Sequence, residues 1–185
     1  MLRLFTAIKL PAYMPERFTR LRQYDLQGAR WQMRENFHLT LRFIGEVDEC
    51  VADDIDAALG KVSAPGFTLT VKGAGSFSSG DKPRALWAGV VESEGLRLLQ
   101  QRVDSALSRI VGPDDHGKYV PHITLAYLSE TPDVDAARYL ERCATLEEPP
   151  FGVRSFTLFK SHVGKKRTWY EPLCDYHFAE TPEIL

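Results

Sequence analysis

Residues Phe37-His38-Leu39-Thr40-Leu41-Arg42-Phe43 carry an apolar side chain at every odd position and His, Thr and Arg at the even ones. Side chains alternate across a strand, so His38 and Thr40 share one face while Leu39 and Leu41 turn to the other. The same parity recurs in the second half of the chain, at an offset of 84, in Pro121-His122-Ile123-Thr124-Leu125. Two more matches keep that order. Pro65-Gly66-Phe67 corresponds to Pro149-Pro150-Phe151, again 84 apart, and Arg3-Leu4-Phe5-Thr6-Ala7 to Arg84-Ala85-Leu86-Trp87-Ala88, 81 apart. Each match is weak alone, but their common order and near-constant offset indicate an internal duplication.

Working outward from these segments, strand-like runs fall at residues 2–10, 37–44, 67–71, 84–91, 121–128, 153–159 and 168–178. Helical patterns lie between them. Pro15 opens one with Phe18, Leu21 and Tyr24 inward; Asp48 precedes a second with Val51, Ile55, Ala58 and Leu59 inward. Ser93 precedes a third whose stripe is Leu96, Leu99, Val103, Leu107 and Ile110, and a fourth runs over about residues 133–144. The predicted order is β-α-β-α-β, twice over. We expect an α+β fold with helices packed outside the sheets, as one bilobal domain over residues 1–185. Its repeats span about residues 1–77 and 84–160, joined around residues 78–83, with a closing strand near 168–178.

Composition narrows the function classes. The chain has 185 residues, 44% hydrophobic, with 23 Lys+Arg against 25 Asp+Glu, which excludes disordered, collagen-like and coiled-coil classes. A net charge of −2 provides no overall field to attract polyanions, so a coating or packaging role on nucleic acid is excluded and any such contact must be local. Cys50, Cys143 and Cys174 form an odd set without C-x-x-C or zinc spacing, as expected for free thiols in a reducing compartment. The initial apolar stretch is interrupted by Lys9 and Pro11, and no run approaches the ~20 apolar residues of a membrane span. The expectation is a cytoplasmic monomer with no membrane partner.

The chemistry lies in the duplicated H-x-T. Chance gives about 0.3 such triplets in a chain of this composition, so one copy would mean little, but two at the same place in a repeat point to function. Each strand presents an imidazole and a hydroxyl about 6–7 Å apart. Imidazole titrates near neutrality, so of two facing each other one can take a proton and the other give one. In-line displacement at phosphorus needs that pair, and Thr40 and Thr124 would donate to the non-bridging oxygens where charge gathers. This arrangement calls for no metal and no other cofactor.

These residues resemble the 2H phosphoesterase superfamily, and within it the bacterial RNA 2′,3′-cyclic phosphodiesterases, formerly called 2′-5′ RNA ligases. The resemblance runs through residues 3–8, 35–46, 83–89, 121–125 and 156–159 and rests chiefly on the paired H-x-T-x motifs. It implies antiparallel-rich sheets around a central cleft and hydrolysis of RNA 2′,3′-cyclic phosphate ends to 2′-phosphomonoesters, with reversible 2′-5′ ligation as a companion activity. It also implies that His38 is the proton donor and His122 the acceptor, with Thr40 and Thr124 binding substrate. The partners implied are RNA ends or nucleoside cyclic phosphates. One position departs from the pattern: where many members have Arg, five positions after the second His, this chain has Tyr127.

Other residues carry weaker signals. Arg42 shares strand parity with His38, so it either supplies the cation missing at Tyr127 or is a solvated charge at a strand end; Arg167 competes for that role. Tyr127 itself reaches the cleft only if its strand ends, twists or bulges. Lys165-Lys166-Arg167 beside Trp169 and Tyr170 reads first as a solvated hairpin turn and second as a phosphate-and-base platform. His116 reads as a solvated loop residue, and a zinc site from His116, His122 and Asp114 lacks supporting spacing. The other function class is a non-catalytic RNA-end or nucleotide-binding module that keeps the cleft.

Overall fold

Both H-x-T segments form strands, and the way neighbouring strands pair with them shapes the molecule. The structure is a computed structural model and describes residues 1–23, 26–115, 117–164 and 167–178. The first sequence repeat contributes β1 (Leu2–Lys9), α1 (Met14–Arg20), a short β2 (Ala29–Trp31), β3 (His38–Val47), α2 (Glu49–Leu59), β4 (Phe67–Leu69) and β5 (Val71–Ser79). The second contributes β6 (Lys82–Val90), α3 (Glu94–Val111), β7 (His122–Leu128), α4 (Asp133–Arg142), β8 (Phe151–Val153) and β9 (Ser155–Val163), and β10 (Thr168–His177) follows. All strand pairs among the described residues are antiparallel. One sheet has the order β10-β9-β1-β3, the other β2-β7-β6-β5, and β4 pairs with β8 in a small third sheet. This is an α+β architecture.

The repeats are interlocked rather than side by side. β5, from the first repeat, pairs with β6 of the second, while β9, from the second, pairs with β1 of the first. β4 and β8, which lead into those exchanged strands, meet in the register Phe67↔Val153 and Leu69↔Phe151. Each main sheet therefore draws strands from both repeats.

The apolar faces of the sheets are covered by helices. On α3, Leu96, Leu99, Val103 and Leu107 are all fully buried, and the helix lies against β3 and α2. Its entry is fixed by Ser93, whose hydroxyl accepts the Leu96 N–H at 3.2 Å. Burying four such side chains contributes about 1.5–3 kcal/mol each. They join Leu39, Leu41, Ile123 and Leu125 from the H-x-T strands in one continuous core, so the strand faces opposite the histidines anchor the site. A second cluster, Leu86, Leu128, Ala136 and Tyr139 among them, sits beneath α4.

Two strands lie outside the sequence expectation. β2 spans only Ala29–Trp31, too short for a period to show, and Gly28 at φ +75° docks it because a Cβ there would come within 2.0 Å of the Ser129 carbonyl. β5 reads Val-Lys-Gly-Ala-Gly-Ser-Phe-Ser-Ser, poor in strand formers. It pairs because Gly75 leaves room for the Trp87 ring, 2.2 Å from where a Cβ would stand. The match between the first strands of the two repeats is also corrected by one position. Ala7 pairs with Thr40 and Trp87 with Thr124, so Trp87, rather than Ala88, is the counterpart of Ala7.

Candidate active site

β3 and β7 lie against each other where the two main sheets meet, and each begins at its histidine. The His38 Nδ1 is 2.7 Å from the Asn36 carbonyl, and in the second repeat the His122 Nδ1 is 2.7 Å from the matching carbonyl, that of Val120. A carbonyl only accepts, so in both rings Nδ1 carries the proton and Nε2 is left with a free lone pair. Thr40 donates to that lone pair of His38 at 3.0 Å.

Aromatic walls surround both rings. His38 packs at 4.9 Å from the Phe5 ring centre and edge-on to Tyr170 at 5.2 Å. His122 meets Phe77 edge-on at 4.7 Å and Trp87 at 6.2 Å. Burial pushes the His38 pKa down to about 4; its backbone bond to Asn36 opposes this, and the nearby charge of His122 adds to it. His122 is lowered too, by burial, with the Val120 bond acting in the other direction. Both imidazoles are thus neutral at pH 7 in the free protein, oriented by backbone carbonyls, and close enough for a charge on one to disfavour a charge on the other.

A matched pair of β-bulges shapes the rest of the cleft. On β3 the register with β1 passes from Ala7↔Thr40 to Thr6↔Arg42, skipping Leu41; on β7 the register with β6 passes from Trp87↔Thr124 to Leu86↔Ala126, skipping Leu125. The extra residue reverses parity beyond each bulge. Leu41 and Arg42 are both buried, as are Leu125 and Ala126, and the next residues, Phe43 at 53% exposure and Tyr127 at 41%, return to the histidine face. The condition set by the sequence for Tyr127 is met, because its strand bulges.

The family model described as the 2′-5′ RNA ligase superfamily matches residues 13–165. The chain belongs to that superfamily. It is 33% identical over 155 residues to an RNA 2′,3′-cyclic phosphodiesterase of Thermotoga maritima, covering 82% of this chain and 80% of the relative. To the RNA 2′,3′-cyclic phosphodiesterase of Escherichia coli it is 32% identical over 178 residues, covering 92% and 93%. The crystal structure of E. coli LigT complexed with 3′-AMP superposes with a TM-score of 0.79 at 28% identity, over 97% of this chain and 99% of that one.

In this 2′-5′ RNA ligase superfamily chain, His38, Thr40, His122 and Thr124, all chosen from sequence, lie on the same faces of adjoining strands. Arg42 does not join them. At 3% exposure it is neither a substrate contact nor a solvated charge: the bulge turns it under the sheet, where Nη1 bonds the Asp104 carboxylate at 2.6 Å and Ser108 at 2.9 Å, and Nη2 bonds the Gly112 carbonyl. Arg167 is exposed on the β9–β10 loop, while Tyr24, His116, Lys165 and Lys166 lie outside the described residues. His162 stacks on Trp169 at 3.8 Å, with Nε2 2.7 Å from Glu171. Sequence reasoning did not place Phe43 on the histidine face, nor Arg30 of β2, which lies opposite Tyr127 with its guanidinium carbon 5.1 Å from the Tyr127 ring centre. Among the described residues no cluster of three His, Cys, Asp or Glu side chains is placed to hold a metal, and no helix is long and apolar enough to cross a membrane.

Proposed function

We propose that this chain hydrolyses the 2′,3′-cyclic phosphate at RNA ends to a 2′-phosphomonoester, with His38 and His122 exchanging the protons. The observation that carries this is the pair of imidazoles on contacting strands β3 and β7, each held through Nδ1 by a backbone carbonyl and near enough to feel the other's charge, which leaves Nε2 for proton transfer. The relatives named RNA 2′,3′-cyclic phosphodiesterase support the substrate class.

The step balances without a metal. His122 Nε2 takes a proton from water as its oxygen attacks phosphorus; the P–O3′ bond breaks, and O3′ takes a proton from His38 Nε2–H, leaving a 2′-phosphate and a 3′-hydroxyl. Thr40 and Thr124 turn their hydroxyls to the non-bridging oxygens. The free site leaves His38 neutral, so its proton arrives only when the anionic substrate adjoins it and favours the cationic ring. A ribose 5′-hydroxyl in place of water gives a 2′–5′ phosphodiester, the companion ligation. We further propose that the whole chain acts as one domain and a monomer, since the two H-x-T strands belong to different repeats.

The test is turnover of a nucleoside 2′,3′-cyclic phosphate by the purified protein with its product identified. His38→Ala and His122→Ala should each slow it by roughly 10²–10⁴, and the double variant should lose little more, because the pair acts as a unit. Binding without turnover by the unaltered protein would instead favour a nucleotide-binding module.

A further inference from the structure

The histidine face of the second sheet carries a cation that acid–base chemistry does not use. Arg30 lies directly opposite Tyr127 in the β2–β7 register, and its guanidinium carbon is 5.1 Å from the centre of the Tyr127 ring. The bulge at Leu125 turns Tyr127 to the face of His122 and Thr124, and register carries Arg30 with it. From the other sheet, Tyr170 stands edge-on to His38 at 5.2 Å and is near enough to feel the charge of Arg30 and of Arg3. Arg30 therefore adjoins the cleft that holds the imidazoles.

What distinguishes Arg30 from Arg3, the other cation near Tyr170, is an aromatic ring beneath an unspent hydrogen-bonding fork. Lys9, opposite His38, is bonded to both oxygens of Asp175, and Arg42 is consumed by Asp104. Among the described residues Arg30 has neither a carboxylate partner nor a hydrogen bond, only the ring beneath it. Stacking restricts a guanidinium's motion while leaving its N–H groups free, the preparation that bidentate phosphate binding needs. Tyr127 is five residues beyond His122, but the bulge at Leu125 removes one step of the ladder, so the two are about 13 Å apart at ~3.3 Å per step. That offset lies beyond the group between the imidazoles, and the long Arg30 side chain, leaning back toward His122, can cover part of it to meet the next phosphate of a chain.

We infer that Arg30, stacked on Tyr127, binds the phosphodiester on the 5′ side of the terminal nucleotide of an RNA substrate, making this position a determinant of preference for RNA ends over mononucleotides. The inference rests on the cyclic phosphodiesterase reading. The mononucleotide lacks that phosphodiester, so Arg30 separates the two substrates.

The test compares Arg30→Ala, Arg30→Lys and, as a control for loss of a distant charge, Arg138→Ala on the outer helix α4. Each is assayed on a nucleoside 2′,3′-cyclic phosphate and on an RNA trinucleotide ending in one, and binding of an unreactive 3′-phosphorylated trinucleotide is titrated against salt. Arg30→Ala should weaken trinucleotide binding roughly 10- to 100-fold, the worth of a charge-assisted hydrogen bond, with the loss in KM and at least tenfold beyond any on the mononucleotide. The slope of log affinity against log salt should fall by about 0.7; Arg30→Lys should keep that slope and recover part of the affinity, and Arg138→Ala should match the unaltered protein. Equal losses on both substrates, or trinucleotide binding unchanged in Arg30→Ala, would overturn it. Turnover absent from the unaltered protein, beside weakened trinucleotide binding in Arg30→Ala, would sink the hydrolase reading and support the subsite.

Discussion

His38 and His122 share a tautomer and differ in depth, and that difference sets a pH signature. In the free protein His38 is lowered to about 4 by burial and His122 is lowered by the same cause, so the singly protonated pair that the proposed mechanism requires is most populated below pH 6.5. An anionic phosphodiester beside the rings favours their charged forms and raises both values. The expected outcome is that kcat/KM, which reports the free protein, peaks below pH 6.5 and falls as pH rises, while kcat, which reports the complex, peaks at higher pH. Steady-state rates on a nucleoside 2′,3′-cyclic phosphate across pH 4–9 check this, and coincident optima would mean that substrate charge does not supply the His38 proton. At this scale the sequence was legible for the four H-x-T side chains because a period of two is a strong constraint. The tautomers were not legible, since they depend on two carbonyls, of Asn36 and Val120, whose directions only the backbone decides.

A strand's parity holds only until its first bulge, and β3 shows the consequence. Counted from His38, Arg42 belongs on the cleft face; the extra residue at Leu41 sends it inward and puts Phe43 there instead. No residue type at Leu41 signals the bulge, which arises from pairing with β1, a strand separated from it in the chain by α1 and β2. Helices were more legible than strands for a related reason: Ser93 and the stripe from Leu96 to Leu107 are local signals, whereas β5 forms because Trp87 covers Gly75. Arg42 is accordingly a clasp between β3 and α3. Replacing it by Ala leaves Asp104, itself partly exposed, and the Gly112 carbonyl without their partner, and should cost about 3 kcal/mol, the low end for a broken buried pair. Urea unfolding of Arg42→Ala should show that loss with little change in the kcat of the folded fraction. A large fall in KM-dependent rate with unaltered stability would return Arg42 to the substrate.

Over the whole molecule, the exchanged strands mean that the duplication seen in sequence does not correspond to two self-sufficient halves. Residues 1–80 hold β1 and β3 but lack β9, which covers β1, and hold β5 without β6; residues 81–185 have the complementary deficit. Each fragment would expose unpaired strand edges along β1 or β6 and split the core that Leu4, Leu39, Ile123 and Phe156 build together. The β5–β6 connection, by contrast, is a tight turn at Gly80, φ +59°, between Ser79 and Lys82, and its covalent continuity adds little beyond keeping two paired strands together. Separately expressed fragments 1–80 and 81–185 should therefore be largely unfolded by circular dichroism. Mixed or co-expressed, they should regain the fold and the cyclic phosphodiesterase activity, because the exchanged β5 and β9 restore both sheets and bring His38 beside His122. Independent folding of either fragment, with a cooperative thermal transition of its own, would show that β1 or β6 can be protected without its partner from the other repeat. Failure to reassemble would instead place the importance in the Gly80 turn, as the nucleus from which β5 and β6 pair before the rest of the chain closes over them.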